Sequence, residues 1–503
     1  SRYQVIFLSP RRASVFSWML KPGSFQILSG HETGLSLGID AVIAEKAALP
    51  EGVPFETGGG TTKLYGADWV LWAGQPDRFE AGTPAIINVI AFARALQLVK
   101  RFGKDAFSKG ITENPAPREI LYSDEFSDLQ GANLLKALCE TMVGHDVQVP
   151  TTRGPRPFIN LDNSASTPSF RPAWEAFRLS LRMDARAAME MADEVRQVCA
   201  GFLDAPSPDF EILFTSNTTE SINLAAAGLG NQPIGEMEPV ILTTVLEHSS
   251  NDLPWRMVPG HTVIRLDADK DGILGMSRLD SLLSDYNEKE LHGRKRIRLV
   301  TVSGASNVLG TCNDLQAISD LVHRHGALLM VDAAQLAAHR KISMAVTGID
   351  LLALSAHKMY APFGTGVLVA RRGLLQFDET EADRINASGE ANPGGIAAMG
   401  KAMLMIQRIG FDLIEQEERS LTNKALKEIS GIPAIQLHGM LSANQNGVVG
   451  KTGVIGFSVK SMMPATVARK LALSGGMGVR FGCLCSHLII KQLSGFTPFQ
   501  ERF

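Results

Sequence analysis

The stretch Ser355-Ala-His-Lys-Met-Tyr-Ala-Pro-Phe-Gly-Thr-Gly366 decides how the rest of this 503-residue chain is read. The apolar run Asp350-Leu-Leu-Ala-Leu leads into it and Val367-Leu-Val-Ala follows, and both have the composition of buried strands. A lysine held between two buried strands, beside a turn of small residues, is stripped of water. Desolvation disfavours its ammonium form, which leaves Lys358 the nucleophilic amine that a Schiff-base lysine must have. The plain reading is a lysine that ends a strand at the surface.

Upstream of this stretch the texture supports the first reading. Glu211-Ile-Leu-Phe-Thr, Pro239-Val-Ile-Leu-Thr, Thr262-Val-Ile-Arg-Leu, Ile297-Arg-Leu-Val-Thr and Ala327-Leu-Leu-Met-Val-Asp are short apolar runs, mostly separated by helical segments. That alternation predicts an α/β domain with a mostly parallel sheet from residue 158 onward. Ligands of such sheets sit beyond the carboxyl ends of the strands, where the polar residues of this sequence gather. Thr215-Ser-Asn-Thr-Thr-Glu-Ser opens a helix with hydroxyls and free N–H groups suited to a phosphate. Glu247-His-Ser-Ser-Asn offers an imidazole that could stack on a flat ring, and Ser306-Asn-Val-Leu-Gly-Thr an amide. Val331-Asp-Ala-Ala-Gln ends an apolar strand with a carboxylate, which needs a partner once buried. A protonated pyridine nitrogen would be one, and pairing would keep that ring an electron sink. Each residue taken singly has a bland reading: a helix cap, a polar surface loop. The ordered set is read poorly that way.

The strings Leu161-Asp-Asn-Ser-Ala-Ser-Thr-Pro, Phe214-Thr-Ser-Asn-Thr-Thr-Glu-Ser, Leu246-Glu-His-Ser-Ser-Asn-Asp-Leu-Pro-Trp, Ser306-Asn-Val-Leu-Gly-Thr, Val331-Asp-Ala-Ala-Gln and Ser355-Ala-His-Lys-Met-Tyr follow one another in a family's order. Residues 158–503 resemble the class V branch of the fold-type I enzymes that use pyridoxal 5′-phosphate (PLP), and most of all cysteine desulfurases and selenocysteine lyases. The resemblance implies a fold-type I α/β architecture with a mostly parallel central sheet and a small α+β C-terminal region. It implies that Lys358 bonds the cofactor and then moves protons, that Asp332 holds the pyridine nitrogen, and that His248 stacks on the ring. Asn307 and Gln335 would contact the ring oxygen or its surroundings, and Thr218, Thr219, Ser355 and His357 the phosphate. Asn163, Ser164 and Arg480 would face the substrate, a small amino acid. Val479-Arg-Phe-Gly-Cys-Leu-Cys-Ser-His resembles the segment bearing the family's sulfur-accepting cysteine, and spacing puts Cys485 there. A thiolate near a cation is a competent nucleophile, and a sulfur-acceptor protein would then be a partner. The plain reading leaves Cys483 and Cys485 as ordinary thiols, and Cys-x-Cys without a second ligand pair predicts no metal site. The family also carries an arginine beyond this cysteine for the substrate carboxylate. The sequence reaches Phe503 before that segment, so the anchor is expected to be missing, moved or lost with a truncated end.

The start of the chain repeats part of this pattern. At a constant offset of 326, Ser29 falls on Ser355, His31 on His357, Gly38 on Gly364 and Glu32 on Lys358. Further on, Arg78-Phe-Glu-Ala lies on Arg384-Ile-Asn-Ala, and Arg101-Phe-Gly-Lys-Asp on Arg408-Ile-Gly-Phe-Asp. Residues 1–105 therefore read as a partial, degenerate second copy, and the Pro-punctuated residues 106–157 as a connector with one amphipathic helix near Leu129 to Met142. The first copy cannot bond the cofactor through Glu32, but keeps Glu80-Ala-Gly-Thr-Pro. In family dimers the threonine of that motif reaches the phosphate of the neighbouring subunit, a role that falls on Thr83. Glu390 stands at the matching place of the second copy, where a carboxylate would repel a phosphate. The expectation is a homodimer or a pseudo-dimer within one chain.

Bulk properties narrow the classes. A net charge of −3 gives no electrostatic footprint for nucleic acid or an anionic membrane. No apolar run approaches the ~18 residues of a spanning helix. Five cysteines point to a reducing, cytoplasmic setting rather than a disulfide scaffold. The leading expectation is a PLP enzyme that desulfurates cysteine to alanine through a persulfide on Cys485. The alternatives are a class V aminotransferase or other PLP lyase, and a non-catalytic scaffold or regulatory descendant.

Overall fold

The apolar runs form strands because their branched and aromatic side chains fit a sheet covered on both faces. In the computed structural model, which describes residues 2–107, 116–181, 183–439 and 450–495, the chain begins with β1 (Tyr3–Leu8), α1 (Pro10–Ser17), β2 (Phe25–Ser29) and β3 (Asp40–Glu45). These strands make an antiparallel sheet in the order β1-β3-β2. A loop carrying Gly58–Gly60 and a hairpin (Thr62–Tyr65 and Val70–Trp72) follow, then α2 (Ile86–Phe102).

The main sheet comprises β4 (Phe210–Thr215), β5 (Glu238–Thr244), β6 (Thr262–Leu266), β7 (Lys295–Ser303), β8 (Leu328–Asp332), β9 (Leu351–Ser355) and β10 (Gly366–Arg371). Its order is β6-β5-β7-β8-β9-β10-β4. The five strands from β6 to β9 run parallel, and β10 is antiparallel to both its neighbours. Every strand expected from residues 211–370 is present. Beyond it, α4 (Pro393–Ile409) is nearly wholly buried. A hairpin (Ile435–His438 with Gly456–Val459) and two helices (Pro464–Gly475 and His487–Ser494) build the small α+β region.

One apolar cluster runs from Leu37, Ile39 and Phe92 through the main sheet to Ile489. Residues 106–157 take part in it: Leu121, Leu134 and Leu138 are fully buried. Lys401, on α4 and almost inaccessible, donates to the carbonyls of Leu121 and Ser123 and pairs with Asp124 at 2.9 Å. The side chain of Glu390 lies outside the described residues, as do residues 496–503.

Candidate active site

The site forms where the parallel strands end. β8 delivers Asp332, β9 delivers Ser355, and β4 leads through Ser216 into α3 (Thr218–Gly230), whose N-cap Asn217 accepts from Glu220 N–H. Thr218 N–H donates to Ser355 Oγ at 2.7 Å, and the two hydroxyl oxygens lie 2.5 Å apart. Ser250 sits at a crossing point. Its hydroxyl is 2.7 Å from Thr219 Oγ1 and 3.0 Å from His248 Nδ1, and accepts from Gly59 N–H at 3.1 Å. Sequence reasoning passed over Ser250, although it lies inside one of the quoted strings. It also passed over Glu247, whose carboxyl accepts from Thr244, Asn251 and Ser303. Burial outweighs those bonds and pushes Glu247 up to about 7.

Lys358 lies in the short turn after β9. Burial pushes its ammonium below the usual lysine range, with Asp332 and Cys485 pulling the other way. Asp332, deep in the protein, is pushed up by burial while Ala334 N–H and Lys358 oppose. Burial and the nearby Lys358 hold His248 and His357 at about 3, so both rings are neutral. A neutral imidazole can stack without bringing a second cation beside the lysine.

The C-terminal segment closes over this group. Asn307 Nδ2 donates to the Leu484 carbonyl at 2.8 Å, and Asn307 Oδ1 accepts from Ser486 Oγ. Ser249 N–H donates to the Cys485 carbonyl at 2.7 Å. Leu484 and Cys485 both have left-handed backbones (φ 51° and 56°), a conformation that costs energy outside glycine and collects at functional turns. Arg480 lies 3.6 Å from Asp162 and is half-exposed. Gln335 Nε2 donates to the Ser164 carbonyl, fixing the strand-leading loop that carries Asn163, whose own amide oxygen accepts from Asn160. The Asn307 amide and Gln335 Nε2 thus help hold the walls of the recess.

The first 105 residues furnish the opposite wall. A Cβ on Gly58 would lie 2.5 Å from Thr219 Cγ2, on Gly59 2.8 Å from His248 Cε1, and on Gly82 2.5 Å from Asn217 Oδ1. Tyr65 stacks on His487 with centroids 4.4 Å apart, and its hydroxyl donates to the Cys485 carbonyl. Nothing in the sequence pointed to Tyr65. Thr83 lines a cavity of about 490 Å³ with Ser166, Ser216, His357, Gly364 and Thr365. The set fits a phosphate-bearing cofactor: four hydroxyls, the α3 N-terminus that begins beside Ser216, and a buried His357 Nδ1 left without a hydrogen-bond partner.

The family model for class V aminotransferases matches residues 22–116 and 159–495. The chain belongs to the class V aminotransferase family. Among curated relatives, the probable cysteine desulfurase of Halalkalibacterium halodurans is 31% identical over 59% of this chain and 74% of its own. The cysteine desulfurase of Klebsiella pneumoniae subsp. pneumoniae is 31% identical over 58% of this chain and 77% of its own. The solved structure of the cysteine desulfurase from Thermococcus onnurineus NA1 superposes with a TM-score of 0.57 at 26% identity, covering 67% of this chain and 87% of that one. This class V chain has the α/β fold of the PLP-dependent transferases and is a PLP-dependent enzyme with cysteine desulfurase-like relatives; its membership implies PLP as cofactor. Among the described residues, no helix is long and apolar enough to cross a membrane.

Proposed function

We propose that this chain removes sulfur from L-cysteine, leaving L-alanine, with Cys485 as the first sulfur acceptor. The observation that carries this reading is the placement of the strained Leu484–Cys485 turn against the Lys358 recess, tied down by Asn307 and Ser249.

The residues divide the work by position. Thr218, Thr219, Ser355 and His357 bind the phosphate of PLP, with Thr83 reaching it from the opposite wall. Asp332 holds the pyridine nitrogen and His248 covers the ring. PLP supplies an electron sink for bonds breaking at the substrate's α-carbon. The desolvated Lys358 amine anchors the cofactor and carries protons to and from the substrate carbon. Asn163, Ser164 and Arg480 face the amino acid, Arg480 offering its carboxylate a cation. Cys485 Sγ, as thiolate, bonds to the substrate sulfur while the carbon–sulfur bond breaks. The persulfide remains on Cys485 until a thiol or an acceptor protein takes its terminal sulfur, and the protonated carbon skeleton leaves as alanine.

The test combines absorbance with product analysis. Purified chain given PLP should show a visible band that borohydride fixes onto Lys358, and Lys358→Ala should lack the fixed adduct. With L-cysteine and a reducing thiol, sulfide should form. Cys485→Ser should keep the band and lose at least about tenfold in sulfide release, the effect of removing a nucleophile from a positioned set. A fixed band with no sulfide or persulfide from cysteine would discard desulfuration in favour of another class V reaction.

A further inference from the structure

The first lobe repeats the second in register as well as in sequence. β2 and β3 pair Phe25 with Ala44 and Ser29 with Asp40; at the offset of 326, β9 and β10 pair Leu351 with Ala370 and Ser355 with Gly366. β1 stands against β3 as β4 stands against β10, Leu8 opposite Asp40 and Thr215 opposite Gly366. α2 and α4 coincide over their full lengths, Ile86–Phe102 and Pro393–Ile409. Contacts between the lobes are reciprocal. A Cβ on Gly38 would lie 2.4 Å from Asn392 Cβ, and one on Gly364, its counterpart, 2.6 Å from the Cβ of Ala85, the counterpart of Asn392. Residue i touching j′ while i′ touches j is the signature of a two-fold interface.

The lobes have lost complementary parts. Residues 18–24 link α1 straight to β2, where the second lobe inserts β5–β8. Between β10 and α4, in turn, the second lobe has the helix Glu379–Ala391, where the first has its glycine loop, hairpin and Thr83. At the start of α1, Arg11 and Arg12 stand where Thr218 and Thr219 open α3. Both are buried. Arg12 Nε lies 2.7 Å from Glu56, and Arg11 lies 3.3 Å from Glu56 and from Glu220 and 3.4 Å from Glu381. Glu56 precedes the loop pressed on His248 and Thr219, and Glu220 follows Thr219.

We propose that the first lobe completes the Lys358 site in cis, as the arm of a fused dimer, and that its own former cradle is now an Arg11–Arg12–Glu56–Glu220 ion cluster holding that arm in place. The proposal rests on the reading of the Lys358 site as a PLP site. Arg11 and Arg12 are then positioning residues.

Co-expression tests the cis arrangement. Full-length Lys358→Ala and Thr83→Ala chains carry separate tags, and the isolated particles are sized by light scattering and scored for tightly held PLP by absorbance and fluorescence. A one-chain wild-type particle with one PLP, Thr83→Ala holding PLP roughly tenfold more weakly (about 1.4 kcal/mol), and no recovery on co-expression are expected. A two-chain particle in which co-expression restores wild-type retention overturns the cis arrangement. The cluster is tested by coupling. Arg12→Met should weaken PLP retention in the wild-type background and add little to Thr83→Ala. Unchanged retention, or full additivity, overturns the positioning role. Should Arg12→Met not fold, the double variant Arg12→Met/Glu56→Leu, which leaves no buried charge unpaired, makes the same comparison. Wild-type chain that fails to bind PLP at all would instead remove the reading of the site itself.

Discussion

At the scale of single residues, the site works through desolvation. Lys358, His248 and His357 crowd together, and burial with mutual repulsion keeps both imidazoles neutral. The unfolded imidazoles titrate near ~6.5, but the folded ones only at about 3. Between those values the unfolded chain takes up protons that the native fold refuses. Their contribution to stability is therefore complete above ~6.5 and is lost as pH falls toward 3. The thermal midpoint of the PLP-free protein should fall between pH ~7 and ~5, and His357→Gln should make that fall shallower; an unchanged slope in the variant would contradict the assignment. Glu247 acts with the opposite sign. Its carboxyl is held near 7, so its contribution is greatest below the ordinary glutamate range and fades as pH rises through 7. Gly59 shows how little room the recess has. Gly59→Ala would drive a methyl to 2.8 Å from His248 Cε1. Equilibrium dialysis should show weaker PLP binding with far-ultraviolet circular dichroism intact.

At the scale of elements, helix ends and buried ion pairs decide what touches what. The start of α3 is usable for an anion because Asn217 caps it from outside, and the hydroxyls of Thr218, Thr219, Ser355 and Ser250 gather in two hydrogen-bonded pairs at that end. The prolines of residues 106–157 predict a connector, and its helices pack on α4 through Leu121, Leu134 and Leu138. Lys401 is what no pattern announces: a lysine in a nearly wholly buried helix, paired with Asp124 and two carbonyls inside the protein. Breaking a buried pair leaves its partner charged and dry, so Lys401→Met should cost about 3 kcal/mol in chemical denaturation. Asp124 retains Arg408 at 2.9 Å, so a loss well under 1 kcal/mol would show that Arg408 carries the pair unaided.

At the scale of the whole molecule, the main core cluster joins the two lobes. Leu37, Ile39 and Phe92 of the first belong to the cluster that contains the main sheet. The first lobe's own cluster, from Ile6 and Phe16 to Val42 and Phe79, is small, which ties the stability of its three strands to the larger lobe. Residues 1–105 expressed alone should therefore give no cooperative thermal transition, and a sharp transition would show an independent domain. The same dependence makes the deletion of residues 1–105 a test of fold as well as of site, which is why point changes at Thr83 and Arg12 are the more informative.

The sequence by itself determined the sheet, its strand ends and the residues set on them. Period, apolar run length and the ordered strings around Lys358 are local properties, and the family match rests on them. The proposed internal copy has its trace at this level too, in Ser29, His31 and Gly38 set against Ser355, His357 and Gly364. Only the tertiary structure decided what lies across the recess. Gly58 and Gly59 against Thr219, His248 and Ser250, Tyr65 on His487, and Arg11 between Glu56 and Glu220 join residues far apart in the chain. Such contacts leave no periodic trace, because they are set by how two lobes pack and by which charges must find partners once water is gone.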